Sequence, residues 1–132
     1  MFSVEGKLAL VTGANRGLGY VLAKGLAGAG ARVIIQGRDS TRVADAAKKL
    51  STETEAQIET AVFDVTDPDA VDAGVAEILD RLGVIDILVN NAGIQRRHPI
   101  TELPANEWDD VILTNLSSAF YVTKPIAAAM VE

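Results

Sequence analysis

The chain has 132 residues, 48% of them hydrophobic, a net charge of −6 and no cysteine. That length holds one domain with a real core but not two, and the composition argues against a disordered chain. The negative balance argues against binding to a phosphate backbone, and the missing thiols exclude a disulfide framework, a thiolate metal site and a thiol nucleophile.

Met1 to Lys7 lacks the basic start and apolar run of a signal peptide. No stretch approaches the roughly 18 apolar residues of a membrane span. The expected partners therefore include no nucleic acid and no membrane, and the expected location is the cytoplasm.

Leu8, Ala9, Leu10 and Val11 form an apolar run that predicts a strand buried on both faces, as in a parallel sheet. The run breaks into Gly13, Gly17 and Gly19, and Leu18 to Ala29 then predicts a helix. A glycine turn feeding a helix N-terminus gathers unpaired N–H groups and the positive end of the helix dipole at one place. That is an anion site suited to a nucleotide pyrophosphate. The spacing is GxxxGxG, neither the standard dinucleotide GxGxxG nor an NTPase P-loop, so close packing of helix on strand is the alternative reading of these glycines.

Gly28 and Gly30 end the first helix, and Arg32 to Gln36 predicts a second strand. Ser40 is placed to cap a helix running to about Leu50, with Ser51 to Glu55 as a loop and Ile58 to Phe63 as the third strand. Asp67 as cap and Pro68 at the first helical position start the next helix. Val71, Val75, Ile78, Leu79 and Leu82 give that helix one apolar face, up to Gly83. Val84 to Val89 predicts the fourth strand, which runs into Asn90-Asn91-Ala92-Gly93. After a polar loop, Pro104 opens a last, interrupted helix that Pro125 should kink or end. Trp108 falls at helical spacing with Ile112, as a core or interface residue does.

Alternating strands and helices with short connections predict an α/β fold, a doubly wound parallel sheet of Rossmann type in the order 3-2-1-4. Ligand then sits across the carboxyl ends of strands 1 and 4, where Thr12 to Gly19 and Asn90 to Gly93 lie. Residues 1–132 read as one dinucleotide-binding domain.

TGANRGLG, the pair Asp64-Val65, NNAG and a later Asn115 in NLSSAF, in that order, resemble the short-chain dehydrogenases/reductases over the whole chain. Within that family, Asn90 to Ile112 is most similar to the gluconate 5-dehydrogenases. The resemblance implies hydride transfer between a nicotinamide cofactor and a sugar acid or related alcohol or ketone. It also implies a catalytic Ser and a Tyr-x-x-x-Lys on a later strand and helix. Tyr121 has Lys124 three residues on rather than four, in the wrong helix, and no other candidate follows before Glu132. The chain reads as truncated at its C-terminus and inactive in isolation. A non-catalytic nucleotide-binding or oligomerisation module is the alternative.

By the same resemblance Thr12, Gly13, Asn15, Arg16, Gly17, Leu18 and Gly19 cradle the cofactor pyrophosphate. Asp64 meets the adenine amino group with Val65 against the ring, or else simply forms an Asx turn at the helix entry. Asn91 ties neighbouring strands, while Ala92 and Gly93 let the nicotinamide ribose approach. Asn115 is the family's proton-relay asparagine; in this chain it serves equally as a polar residue that kinks its helix.

Where an NAD site usually carries an acid after strand 2, this chain has Gly37 and then Arg38. Arg38 and Arg16 suit a 2′-phosphate, which predicts NADP, with NAD the choice if both are only solvated surface charges. Arg96 and Arg97, after the NNAG turn, are candidates for a substrate carboxylate or else part of a polar loop; His98 is a loop histidine. The final helix is apolar on more than one face, which predicts a homo-oligomer formed through it or else a rearranged C-terminal region.

Overall fold

The computed structural model describes residues 2–132. Four parallel strands, β1 (Leu8–Val11), β2 (Arg32–Gly37), β3 (Ile58–Val62) and β4 (Ile87–Val89), form one sheet in the order β3-β2-β1-β4. Helices α1 (Gly17–Gly28), α2 (Ser40–Thr54) and α3 (Pro68–Leu82) are the crossovers, and α4 (Ala105–Ile112) and α5 (Ser118–Met130) follow β4. The register sets Leu8 opposite Arg32, Ala9 opposite Ile87 and Val33 opposite Ile58.

Strand alternation explains the two cores. Leu8, Leu10 and Ile34 point to one face, where Val71, Val75 and Ile78 of α3 and Val122 and Ile126 of α5 cover them. Val11, Val33 and Ile35 point to the other, against Ala23 and Ala27 of α1 and Val43 and Leu50 of α2. Covered on both faces, β1 is apolar at every position, which is why it reads as an unbroken run.

Several boundaries differ from the sequence expectation. Asp39, not Ser40, caps α2 by accepting the Arg42 amide at 3.0 Å. That helix continues through Ser51 to Thr54, because Leu50 is anchored in the core and Thr52 and Thr54 turn their hydroxyls back onto the carbonyls of Lys48 and Leu50. α1 begins at Gly17 and ends at Gly28, and β3 stops at Val62. β4 is only three residues long: Val84 is exposed, Ile85 is buried and Asp86 spends its carboxylate on the Leu8 amide at 2.9 Å.

Pro125 neither ends nor interrupts α5. Its missing N–H costs one helical bond, and the core contacts of Val122 and Ile126 on either side hold the helix together. The irregularity lies earlier, in a π-helical turn over Leu113–Ser117 between α4 and α5. Trp108 is not a core residue; it is 54% exposed.

Candidate functional site

Three strand ends meet at the carboxyl edge of the sheet. The turn after β1 carries Gly13 at φ +59° and Gly17 at φ +60°, conformations that side-chain-bearing residues rarely adopt. A Cβ on Gly13 would lie 2.9 Å from the Ala92 Cα, so the turn is pressed against the segment after β4. A Cβ on Gly19 would lie 2.4 Å from Asn91 Nδ2 and 2.5 Å from the Gly13 carbonyl oxygen. Glycine at both places is thus a packing requirement, as the packing reading of this turn expects.

Asn91 and Thr12 lock that contact. Asn91 Nδ2 donates to the carbonyls of Thr12 at 3.2 Å and Gly13 at 3.1 Å. Thr12 Oγ1 accepts the amides of Asn91 and Ala92, each at 3.0 Å. Thr12 is buried, and its hydroxyl is committed to this tie rather than to the cleft. Asn90 donates across to Thr123 Oγ1 at 3.0 Å, fastening the same strand end to α5.

Above these ties lies a cleft of about 270 Å³. Its lining includes Gly13, Asn15, Arg16, Gly17, Arg38, Asp64, Val65, Asn91, Ala92 and Gly93, which the sequence had marked from distant positions. Leu18, Gly19 and Asn115 stand outside it: Leu18 is exposed, and Gly19 is buried under the turn. No side chain caps the N-terminus of α1, so the amides of its first turn point outward with no partner from the helix or a cap. The guanidiniums of Arg16 and Arg38 are exposed on the cleft rim, and neither is ion-paired among the described residues.

Asp64 accepts both the amide of Thr66, at 2.9 Å, and its hydroxyl, at 2.7 Å, through Oδ1. Burial raises this carboxyl, but the two Thr66 bonds and the Arg38 charge outweigh it and hold the group below its ordinary value. It is therefore a carboxylate at neutral pH. The Asx turn and a ligand contact are compatible, since both Thr66 bonds fall on one oxygen.

A second recess of about 460 Å³ adjoins the first, lined by Arg16, Gly93, Ile94, Gln95, Arg96 and Asn115. Asn115 sits in the π turn and is exposed rather than buried, and its amide is satisfied outside its own helix. Oδ1 accepts the Ile94 amide at 2.7 Å and Nδ2 donates to the Ile94 carbonyl at 2.9 Å. It thereby holds the chain leaving β4 against the helix. Arg96 donates to the Gln95 carbonyl, Arg97 lies outside both recesses, and His98 pairs with Glu107 at the start of α4.

Sequence reasoning passed over Gln36 as a strand end. It is 1% exposed and lines the cleft. The signal was present, an amide ending an otherwise apolar run, since a buried amide needs partners. Thr66, Ile94 and Thr114 also line the cleft and carried no comparable signal.

The short chain dehydrogenase family model matches residues 7–132. Gluconate 5-dehydrogenase of Gluconobacter oxydans (strain 621H) is 49% identical over 131 residues, covering 99% of this chain and 51% of that protein. 5-Keto-D-gluconate 5-reductase of Escherichia coli (strain K12) is 46% identical over 132 residues, covering 100% of this chain and 52% of that protein. Among solved structures, a gluconate 5-dehydrogenase from Burkholderia cenocepacia J2315, in complex with NADP and tartrate, superposes with a TM-score of 0.92. It is 40% identical, and the match covers 98% of this chain and 50% of that one. The chain spans about half the length of the curated relatives it matches.

Proposed function

The chain belongs to the short chain dehydrogenase family, and from that premise we propose that residues 1–132 form the nicotinamide-dinucleotide-binding domain of an oxidoreductase that prefers NADP. The observation that carries this reading is the pairing of two features across one cleft. An uncapped, glycine-lined helix N-terminus shares the cleft with two guanidiniums, Arg16 and Arg38, that are in no salt bridge among the described residues. A dinucleotide pyrophosphate satisfies the first, and a ribose 2′-phosphate the second.

In this reading the amides of the β1–α1 turn bind the pyrophosphate, and Arg16 and Arg38 grip the 2′-phosphate. Asp64 takes the adenine amino group with Val65 against the ring, while Ala92 and Gly93 leave room for the nicotinamide ribose. Thr12, Asn91 and Asn115 act one step back, by holding the loops that make those contacts. The cofactor itself supplies hydride transfer.

The substrate proposed is a sugar acid such as gluconate or its 5-keto form, the chemistry named for the relatives above. Arg96, which lines the second recess, is the residue proposed to receive its carboxylate, with Arg97 close by in sequence. The family's Ser and Tyr-x-x-x-Lys have no counterpart in residues 1–132, so these residues bind cofactor without turning it over. We place the protein in the cytoplasm. Among the described residues no helix is long and apolar enough to cross a membrane.

Trp108 of α4, Leu116 of the π-helical turn and Phe120 of α5, 54%, 66% and 62% exposed, recur at multiples of four residues as an apolar strip. That strip supports a homo-oligomer formed there.

Titration of the purified chain with NADPH and NADH, with light scattering on the same sample, tests the whole reading. Saturable binding that favours NADPH, by a chain larger than a monomer, is expected. A folded sample that binds neither nucleotide leaves the non-catalytic oligomerisation module as the surviving alternative.

A further inference from the structure

We infer that Gln36 is a positioning residue for the cofactor site: its side-chain amide bridges the ends of β1 and β3 and so fixes the width of the cleft. This rests on the cofactor reading above.

Gln36 Oε1 accepts the Gly13 amide at 3.1 Å, and Nε2 donates to the Phe63 carbonyl at 2.6 Å. The Gln36 backbone carbonyl accepts the Ala14 amide at 3.0 Å. One residue at the end of β2 therefore holds the anion-binding turn on one side and, on the other, the residue immediately before Asp64. Gly13 and Asp64 both line the cleft, so the bridge sets the gap between its walls.

The bridge does work that the sheet ladder does not. The β1–β2 register is paired from Leu8↔Arg32 to Val11↔Ile35, and the β2–β3 register ends at Gly37↔Val62. Gly13 and Phe63 lie beyond those pairs; the Phe63 amide still donates to the Gly37 carbonyl at 3.2 Å, but the Phe63 carbonyl and the Gly13 amide are held by the Gln36 side chain. Without the amide, the Gly13 N–H and the Phe63 carbonyl would face an apolar side chain at a buried position. An amide also costs desolvation at a site where Ile34 and Ile35 show that aliphatic side chains fit the same strand. What it gains in exchange is one bond to Gly13, on the cleft wall, and one to Phe63, the residue before Asp64.

The test compares unsubstituted protein with Gln36→Met, which keeps length and loses both hydrogen bonds. The dissociation constant for NADPH is read by fluorescence, and amide exchange is followed by NMR. The expected result is binding weakened about tenfold or more, the effect of leaving buried polar groups unpaired beside the ligand. The Gly13 amide should exchange faster, while the ladder amides of Leu10 and Ile34 keep their protection. That contrast separates positioning from general loosening.

Binding within about twofold of the unsubstituted protein overturns the inference and leaves the cofactor reading intact. Loosening of Leu10 and Ile34 equal to that of Gly13 also overturns it, since Gln36 would then serve the sheet alone. If the unsubstituted protein binds no NADPH, the cofactor reading falls and takes this one with it. Should Gln36→Met not fold, Gln36→Asn is read in the same way: about 1.5 Å shorter, its amide reaches at most one of the two partners.

Discussion

Two strand-to-helix crossovers leave the same edge of the sheet, after β1 and after β3, and they settle their hydrogen bonds in opposite ways. After β3 the chain supplies its own anions. Asp64 takes the amide and hydroxyl of Thr66, Asp67 takes the amides of Asp69 and Ala70, and Pro68 brings no amide of its own. After β1 the cap position is Arg16, which can accept nothing, and the first turn of α1 holds no acid. One crossover is complete as it folds. The other keeps no such cap, which is what the proposed pyrophosphate site draws on, and its glycines let it lie against Ala92 and Asn91. The proposed binding site is where the chain declines to cap its own helix.

The contrast breaks hardest at Gly19. Gly19→Ala drives a Cβ into Asn91 Nδ2 and the Gly13 carbonyl. The expected outcome is loss of NADPH binding together with about 2 kcal/mol or more of stability, read from urea midpoints. Binding that survives this change would show that the turn is not the anion site.

Next come the rim cations. Arg38→Ala and Arg16→Ala should each weaken NADPH by about tenfold, the scale of a lost charge-assisted contact, and leave NADH nearly unchanged. Equal loss for both nucleotides would move these side chains from the 2′-phosphate to the pyrophosphate.

A smaller effect sharpens the comparison from the self-capped side. Asp67→Ala should cost about 1 kcal/mol of stability, as lost N-caps do, with the NADPH dissociation constant unmoved. A change in affinity there would mean that the two crossovers are not independent.

The smallest effect concerns pH. Asp64 is held below its ordinary value in the folded chain, so its contribution to stability is full above about pH 4 and is lost as the pH falls through the lowered value. Asp64→Asn should therefore flatten the decline of stability below about pH 4, measured as urea midpoints against pH. An unchanged acid limb would remove Asp64 from the groups that govern acid unfolding.

Much of this arrangement was legible along the chain because it depends on local periodicity and turn chemistry. Unbroken apolar runs marked strands buried on both faces, glycines marked the open turn, and Asp67-Pro68 marked a helix start that the structure keeps. Strand order followed from the handedness of crossovers and short connections, and the structure has that order. What local pattern could not decide was which polar side chain answers which distant group. Asn115 reads as a misfit in a helix until Ile94, across a loop, supplies its partners. Gln36 reads as the last residue of a strand until Gly13 and Phe63 are brought to either side of it. Ser40 reads as the cap of its helix until the backbone shows that Asp39, one residue earlier, stands outside the helix and accepts the Arg42 amide. Hydrophobic patterning is a property of each segment, so the sequence determined the layers and the open turn. Hydrogen-bond satisfaction belongs to groups that meet only on folding, so the ties that shape the cleft were decided by the tertiary structure.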